Sequence, residues 1–278
     1  MNKLRKRFFV IAISSGKGGV GKTLTTVQMS FYAARMGKKV LILDGDLGLS
    51  NVDIVLGLRP RYNIYDVING TAELKDILLE GPMGVSIIPT GSGISSLSEL
   101  SWVEKISFFS ELETISQDFD FMIIDAGAGI GKNVIHLNKI SDQHVIVTTP
   151  EPHAMADAYA AIKTLYLENE TTNFHILVNH ATSDQEGFQT WKKLQNVAHQ
   201  FLNCQLHFLG SVPHDQKIAS IIAKQQPIDV HGIHTVSGQA WHKSFHNLPA
   251  FSMNEQNVTF EKTFWENFTH SDLNEEIR

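Results

Sequence analysis

The stretch Phe8-Phe9-Val10-Ile11-Ala12-Ile13-Ser14-Ser15-Gly16-Lys17-Gly18-Gly19-Val20-Gly21-Lys22-Thr23 decides the fold. It opens with an unbroken apolar run, as strands buried on both faces of a parallel sheet do. The residues after the run fit G-x-x-x-x-G-K-[ST], and a helical pattern begins at once over 22–36. Strand, glycine loop and helix in that order are the context a phosphate loop needs. Glycines let backbone N–H groups turn inward around phosphate oxygens, and the helix N-terminus adds partial positive charge. A lysine at position 22 suits the β- and γ-phosphates, and the Thr23 hydroxyl suits Mg²⁺. The candidate nucleotide-binding set is therefore Gly16, Lys17, Gly18, Gly19, Val20, Gly21, Lys22, Thr23 and Leu24.

Working outward, short apolar runs recur at 39–44, 85–89, 121–125, 144–148, 174–179 and 207–212. Helical patterns lie between them, including 97–116, 152–168 and 188–201. This alternation predicts an α/β protein: three layers, a mostly parallel twisted sheet with helices on both faces. No repeat or linker divides the chain before about residue 248, so 1–248 reads as one domain and 249–278 as an appendage. The single cysteine, Cys204, excludes a disulfide framework and cysteine-rich metal sites, and is expected to be a buried small apolar residue. With 23 basic and 29 acidic side chains the chain carries no general basic coat for nucleic acid. No run approaches the ~20 apolar residues of a membrane span, and a cytoplasmic protein is expected.

Two further strand ends are acidic. Asp44-Gly45-Asp46 closes the run at 39–44, and carboxylates at such carboxyl ends face the crevice where ligands bind. Asp44 and Asp46 lie two apart on extended chain and point the same way. The run Phe121-Met122-Ile123-Ile124 ends in Asp125, which is expected beside Thr23 and Mg²⁺. Thr23, Asp44 and Asp125 are the candidate metal set. The following Ala126-Gly127-Ala128-Gly129-Ile130 is glycine-rich enough to move with a γ-phosphate.

The loop K-G-G-x-G-K-T resembles the deviant Walker A loop of the MinD/ParA family of P-loop ATPases, and the resemblance covers most of residues 8–248. It implies ATP and Mg²⁺ as cofactors and an ATP-dependent homodimer in which Lys17 reaches the partner's nucleotide. It further implies that Lys17 and Lys22 act on the phosphates, that Asp44 holds Mg²⁺ through water and that Asp46 activates the attacking water. It assigns Asn179 to the adenine and the segment Pro213-His214-Asp215 to the loop closing over the base. The finer similarity is to the FlhG/FleN branch, which sets flagellar number and placement. It is carried by Asp46-Leu47-Gly48-Leu49-Ser50-Asn51-Val52-Asp53, Leu56-Gly57-Leu58-Arg59-Pro60-Arg61-Tyr62-Asn63 and Ile88-Pro89-Thr90-Gly91-Ser92-Gly93. That branch implies a flagellar partner, either a transcription activator or an SRP-type GTPase. The chain starts Met1-Asn2-Lys3-Leu4-Arg5-Lys6-Arg7, without the D-Q-A-x-x-L-R element that stimulates the GTPase, and it has Ala126 where the family often carries Thr or Ser. The alternative within the family is ATP-gated DNA partitioning of ParA type or positioning of another cargo. DNA is disfavoured by the acidic balance, and cluster-carrying relatives by the missing cysteine pair.

In the appendage Phe260, Phe264 and Phe268 recur every four residues beside Trp265, giving one aromatic helical face. Such a face suits docking on protein or a membrane interface. Residues 251–278 carry six acidic and two basic side chains, which opposes anionic lipid. Peripheral binding at the inner membrane thus stays open beside docking. His231, His234, His242 and His246 are spaced as H-x₂-H and H-x₃-H but lack a further ligand cluster. Trp102, Phe108 and Phe109 read as the core face of one helix.

Overall fold

A computed structural model describes residues 8–45, 52–90, 100–223 and 234–252. Its strands are β1 (Phe9–Ser15), β2 (Val40–Asp44), β3 (Leu79–Glu80), β4 (Ser86–Ile88), β5 (Phe121–Ala128), β6 (Gln143–Thr148), β7 (Asn173–Ala181) and β8 (Gln205–Pro213). Its helices are α1 (Lys22–Arg35), α2 (Val52–Leu56), α3 (Ile64–Ile68), α4 (Leu74–Ile77), α5 (Trp102–Ser116) and α6 (Lys132–Lys139). They continue with α7 (Pro152–Asn169), α8 (Asp184–Phe201), α9 (Gln216–Ala223), α10 (Val236–Phe245) and α11 (Pro249–Ser252).

The strands form one sheet in the order β3-β4-β2-β5-β1-β6-β7-β8. All pairs are parallel except the short β3, which runs antiparallel to β4. The expected α/β architecture is thus present. Alternation within each apolar run explains why the runs are continuous. Ile11, Ile13, Ile42, Ile123, Val145 and Leu177 face one layer, with α1 and α10 over them. Val10, Ala12, Leu41, Leu43, Met122 and Ile124 face the other, against α3, α4, α5 and α6. Farther along that second face, Ile146, Ile176 and Val178 pack under α7 and α8, and Cys204 is buried there as expected. Both faces are covered, so neither carries a polar stripe.

Local caps correct two expected helix starts. Helix α5 begins at Trp102 rather than near 97 because Ser101 caps it, with Glu104 returning to the Ser101 N–H at 2.7 Å. Helix α8 begins at Asp184, four residues ahead of 188, because the Ser183 hydroxyl accepts the Glu186 N–H. The free edge of β8 is blunted by side chains. Trp191 Nε1 donates to the Leu206 carbonyl at 3.0 Å, and Gln195 Oε1 accepts the Leu206 N–H at 2.9 Å. Asn247 Nδ2 covers the Leu209 carbonyl, so this edge offers a poor template for strand addition.

Residues just past 248 pack on the domain. The Phe251 ring lies 5.1 Å from that of Tyr32 and 5.0 Å from that of Phe121. The aromatic residues Phe260, Phe264, Trp265 and Phe268 lie outside the described residues, as does His231. His242 and His246 both serve Tyr32, the first as an edge-on ring at 4.6 Å and the second at 3.3 Å from its hydroxyl. Phe108 and Phe109 are buried in the core face of α5 as expected.

Candidate active site

The sheet order reverses around β1. The chain runs from β1 to β2 and β4 on one side, returns to β5, and then builds β6 to β8 on the other. In an open parallel sheet, that reversal leaves a crevice beyond the carboxyl ends of the central strands. The loop 16–21 leaves β1 at this point and enters α1 at Lys22. Gly21 caps α1 with φ 93°, in the left-handed region, and a Cβ there would stand 2.3 Å from Asn179 Nδ2. Only glycine meets both conditions.

The acidic strand ends converge on this loop. Asp44 and Asp125 are register partners on neighbouring β2 and β5, and both are buried. The Thr23 hydroxyl donates to Asp125 Oδ2 at 2.5 Å, while Lys22 Nζ lies 3.9 Å from Asp125 Oδ1. Asp44 Oδ2 accepts the Val52 N–H at 3.1 Å, which anchors the start of α2. Asp46 lies outside the described residues.

The two lysines of the loop face different ways. Lys22 is 8% exposed and turned toward Asp125. The Lys17 side chain is 46% exposed and reaches outward to Glu151 at 3.4 Å, ahead of α7. Glu151 carries no sequence signal of a site residue; it precedes Pro152, the first residue of α7, and its contact with Lys17 spans the chain from 17 to 151.

Asn179, at the end of β7, is 2% exposed. Its Nδ2 donates to the Val20 carbonyl at 2.8 Å, and its Oδ1 accepts the His180 N–H at 3.0 Å. The side chain therefore braces the phosphate loop from the side. His180 follows with φ 57°, and its ring stands edge-on to that of His214 at 5.4 Å. Burial, and then the neighbouring His214, holds its pKa below the ordinary histidine value against the opposing pull of Glu151. Pro213 ends β8. Asp215, just beyond, fastens α9 and α10: it accepts the Lys217 N–H at 2.9 Å and the Ser237 N–H at 3.2 Å. Burial raises the Asp215 pKa, but hydrogen bonds from Ser237, Lys217 and Thr235 outweigh that and leave it lowered.

This donor set fits Mg²⁺ and a nucleotide phosphate. Two carboxylates and a hydroxyl are hard oxygen ligands of the kind Mg²⁺ takes. Gly18 and Gly19 of the loop are exposed, and a Cβ at either would meet nothing within 4 Å. A loop of backbone donors at a helix N-terminus, with a buried lysine, suits phosphate oxygens.

Known proteins resemble this chain in sequence and fold. The family model of the AAA domain matches residues 8–178. The antiactivator FleN of Pseudomonas aeruginosa is 40% identical over 219 residues, covering 79% of this chain and 78% of FleN. The flagellum site-determining protein YlxH of Helicobacter pylori is 34% identical over 226 residues, covering 81% of this chain and 76% of YlxH. Among solved structures, a chain of the MinC:MinD cell division protein complex of Aquifex aeolicus superposes with a TM-score of 0.68 at 26% identity, covering 92% of this chain and 99% of that one. MinD of Pyrococcus horikoshii, solved with Mg-ADP, shares the fold at a TM-score of 0.68 and 23% identity, over 91% of this chain and 100% of that one. The chain belongs to the MinD/ParA family of P-loop ATPases, and within it to the FleN/FlhG group.

Proposed function

We propose that this ATPase is a nucleotide-gated regulator of flagellar number or placement, which closes into a two-fold ATP sandwich and resets by slow hydrolysis. The observation that carries the sandwich is the divergence of the two loop lysines. Lys22 is buried against Asp125, beside the acidic strand ends, whereas the Lys17 side chain is 46% exposed and turned away to Glu151 at the surface, the side on which this reading sets a second copy's nucleotide. The flagellar role rests on similarity to the antiactivator FleN and to the flagellum site-determining YlxH.

In this reading backbone N–H groups of residues 16–21 and the Lys22 ammonium hold the phosphates. Thr23, Asp44 and Asp125 would hold Mg²⁺, which would supply charge neutralisation to the phosphates when bound. Asp46 orients the attacking water. Rate acceleration then comes from positioning and fixed charge, with no covalent intermediate on the protein. Asn179, Pro213, His214 and Asp215 flank the base, Asn179 doing so from a position already fixed by Val20. The partner is a flagellar regulatory protein, a transcription activator or an SRP-type GTPase.

Among the described residues, no helix is long and apolar enough to cross a membrane. Any peripheral contact with the inner membrane would fall to the segment after Ser252. The direct test is capture with the Asp46→Ala protein loaded with ATP, in extract from the source cells. Retention of a flagellar regulator with ATP and its loss with ADP supports the proposal. Retention of DNA alone, in a salt-dependent manner, would replace it with the partitioning function.

A further inference from the structure

The peptide after Asp44 is gripped from two sides. Gly45 N–H donates to the Asp125 carbonyl at 2.8 Å, and the Gly45 carbonyl accepts from Asn133 Nδ2 at 2.6 Å. The fit is close: a Cβ at residue 45 would stand 2.4 Å from Leu137 Cδ1 and 2.8 Å from the Asp125 carbonyl oxygen. A carbonyl only accepts, so the Asn133 amide must present its NH₂ here. Its Oδ1 is buried and takes no hydrogen bond from a described residue, so the side chain is spent on this one contact.

Asn133 also sits at a mechanically useful place. It is the second residue of α6, close behind the glycine-rich segment 126–131, which ends β5 and leads into the helix. That segment holds Gly127 and Gly129 at φ 77° and 89°, and its Gly129 N–H is tied to the Ser15 carbonyl at the root of the phosphate loop. The far end of α6 is fixed to β1, because Asn138 Nδ2 donates to the Ser14 hydroxyl at 2.8 Å. Helix α6 is thus anchored at its end and attached to the acidic end of β2 at its start.

We infer that Asn133 is a positioning residue for ATP hydrolysis: it links the glycine loop after Asp125 to the peptide joining Asp44 to the next acidic residue. A shift of that loop with the γ-phosphate is then passed to the acidic end of β2. The inference rests on the proposed roles of Asp44, Asp46 and Asp125.

The test compares Asn133→Ala and Asn133→Asp in steady-state hydrolysis, fluorescent-nucleotide binding and thermal melting. Asn133→Asp keeps the shape, removes the donor toward Gly45 and adds a favourable negative charge near the start of α6. Loss of one positioning hydrogen bond should lower kcat by about tenfold in both variants. Nucleotide affinity and KM should stay within about twofold of wild type, since Asn133 is not assigned to the phosphates. Asn133→Asp sets a buried carboxylate oxygen against the Gly45 carbonyl and should melt somewhat lower, so the readout is kcat measured well below the melting temperature. Wild-type kcat in Asn133→Asp overturns the inference, as does a loss that appears in melting temperature and affinity instead of kcat. Asp46→Ala and Asp125→Asn separate the two levels. If they hydrolyse ATP normally, the site reading itself fails. If they are inactive while Asn133→Asp is normal, only the role of Asn133 is lost.

Discussion

His175 is a group through which pH should act strongly on the stability of this chain. It lies on β7 with 9% of its surface exposed, its ring stacked on that of His207 at 5.3 Å. Burial, and then the neighbouring His207, pushes its pKa from 6.5 down to about 4. His144 is likewise brought to about 4, by burial and then by His175, with its Nδ1 3.2 Å from Asn138 Oδ1. In the unfolded chain an imidazole takes its proton near 6.5, so between there and about 4 the unfolded state binds more protons. Stability therefore falls as the pH drops through that window and is regained as it rises. One pKa unit is worth about 1.4 kcal/mol, so His175 should remove roughly 2 kcal/mol between pH 7 and pH 5. His144, brought to the same value, should remove a similar amount. Urea unfolding at pH 7 and pH 5, on wild type and His175→Gln, measures the effect. The variant has no ring to protonate, so its stability should fall by roughly 2 kcal/mol less than that of wild type. Equal losses in the two proteins would mean that His175 accepts its proton in the folded state, and would refute the reasoning.

Other perturbations address the site. Lys22→Ala removes a buried ammonium assigned to the phosphates and should weaken ATP binding on the order of a hundredfold, read by calorimetry. Lys17→Ala should leave that affinity within about twofold and abolish ATP-dependent self-association, read by sedimentation. Asn179→Ala strips the Val20 carbonyl of its buried donor and should cost about 1–3 kcal/mol of stability. An unchanged melting temperature with altered base selectivity would show that Asn179 reads the base without bracing the loop. Ser101→Ala should cost about 1 kcal/mol in unfolding free energy while leaving hydrolysis unchanged, because it only caps α5.

What was legible in the sequence was what local pattern controls. Seven of the eight strands lie in continuous apolar runs, because both faces of the sheet are covered. The phosphate loop was legible because its geometry needs glycines at fixed offsets from a lysine and a hydroxyl. Asp44 and Asp125 were legible as acidic ends of apolar strands, and they meet as register partners. The two-residue β3 and the short helices α2, α3 and α4 were not, since four or five residues carry less than two turns of periodicity. One of them had a readable mark, the Asn63-x-x-Asp66 capping box that opens α3. Asn133 had none. Its partner lies 88 residues away, and nothing near it in sequence distinguishes it from any other helical asparagine. Glu151-Pro152 is legible as a helix start, but the contact of Glu151 with Lys17 is made only by the approach of α7 to the loop. Asp215 shows the converse: the segment Pro213-His214-Asp215 is legible by its resemblance, whereas the bonds of its carboxylate to the Lys217 and Ser237 N–H groups are not.

The central claim is that one nucleotide site with two divergent lysines works by pairing two chains. Light scattering on the Asp46→Ala protein during size-exclusion chromatography tests it most directly, with Mg-ATP or Mg-ADP in the running buffer. The account predicts twice the 31.0 kDa of one chain with ATP, a single chain with ADP, and a single chain under both conditions when Lys17→Ala is added. A single chain with ATP, or a dimer indifferent to both nucleotide and Lys17, would contradict it.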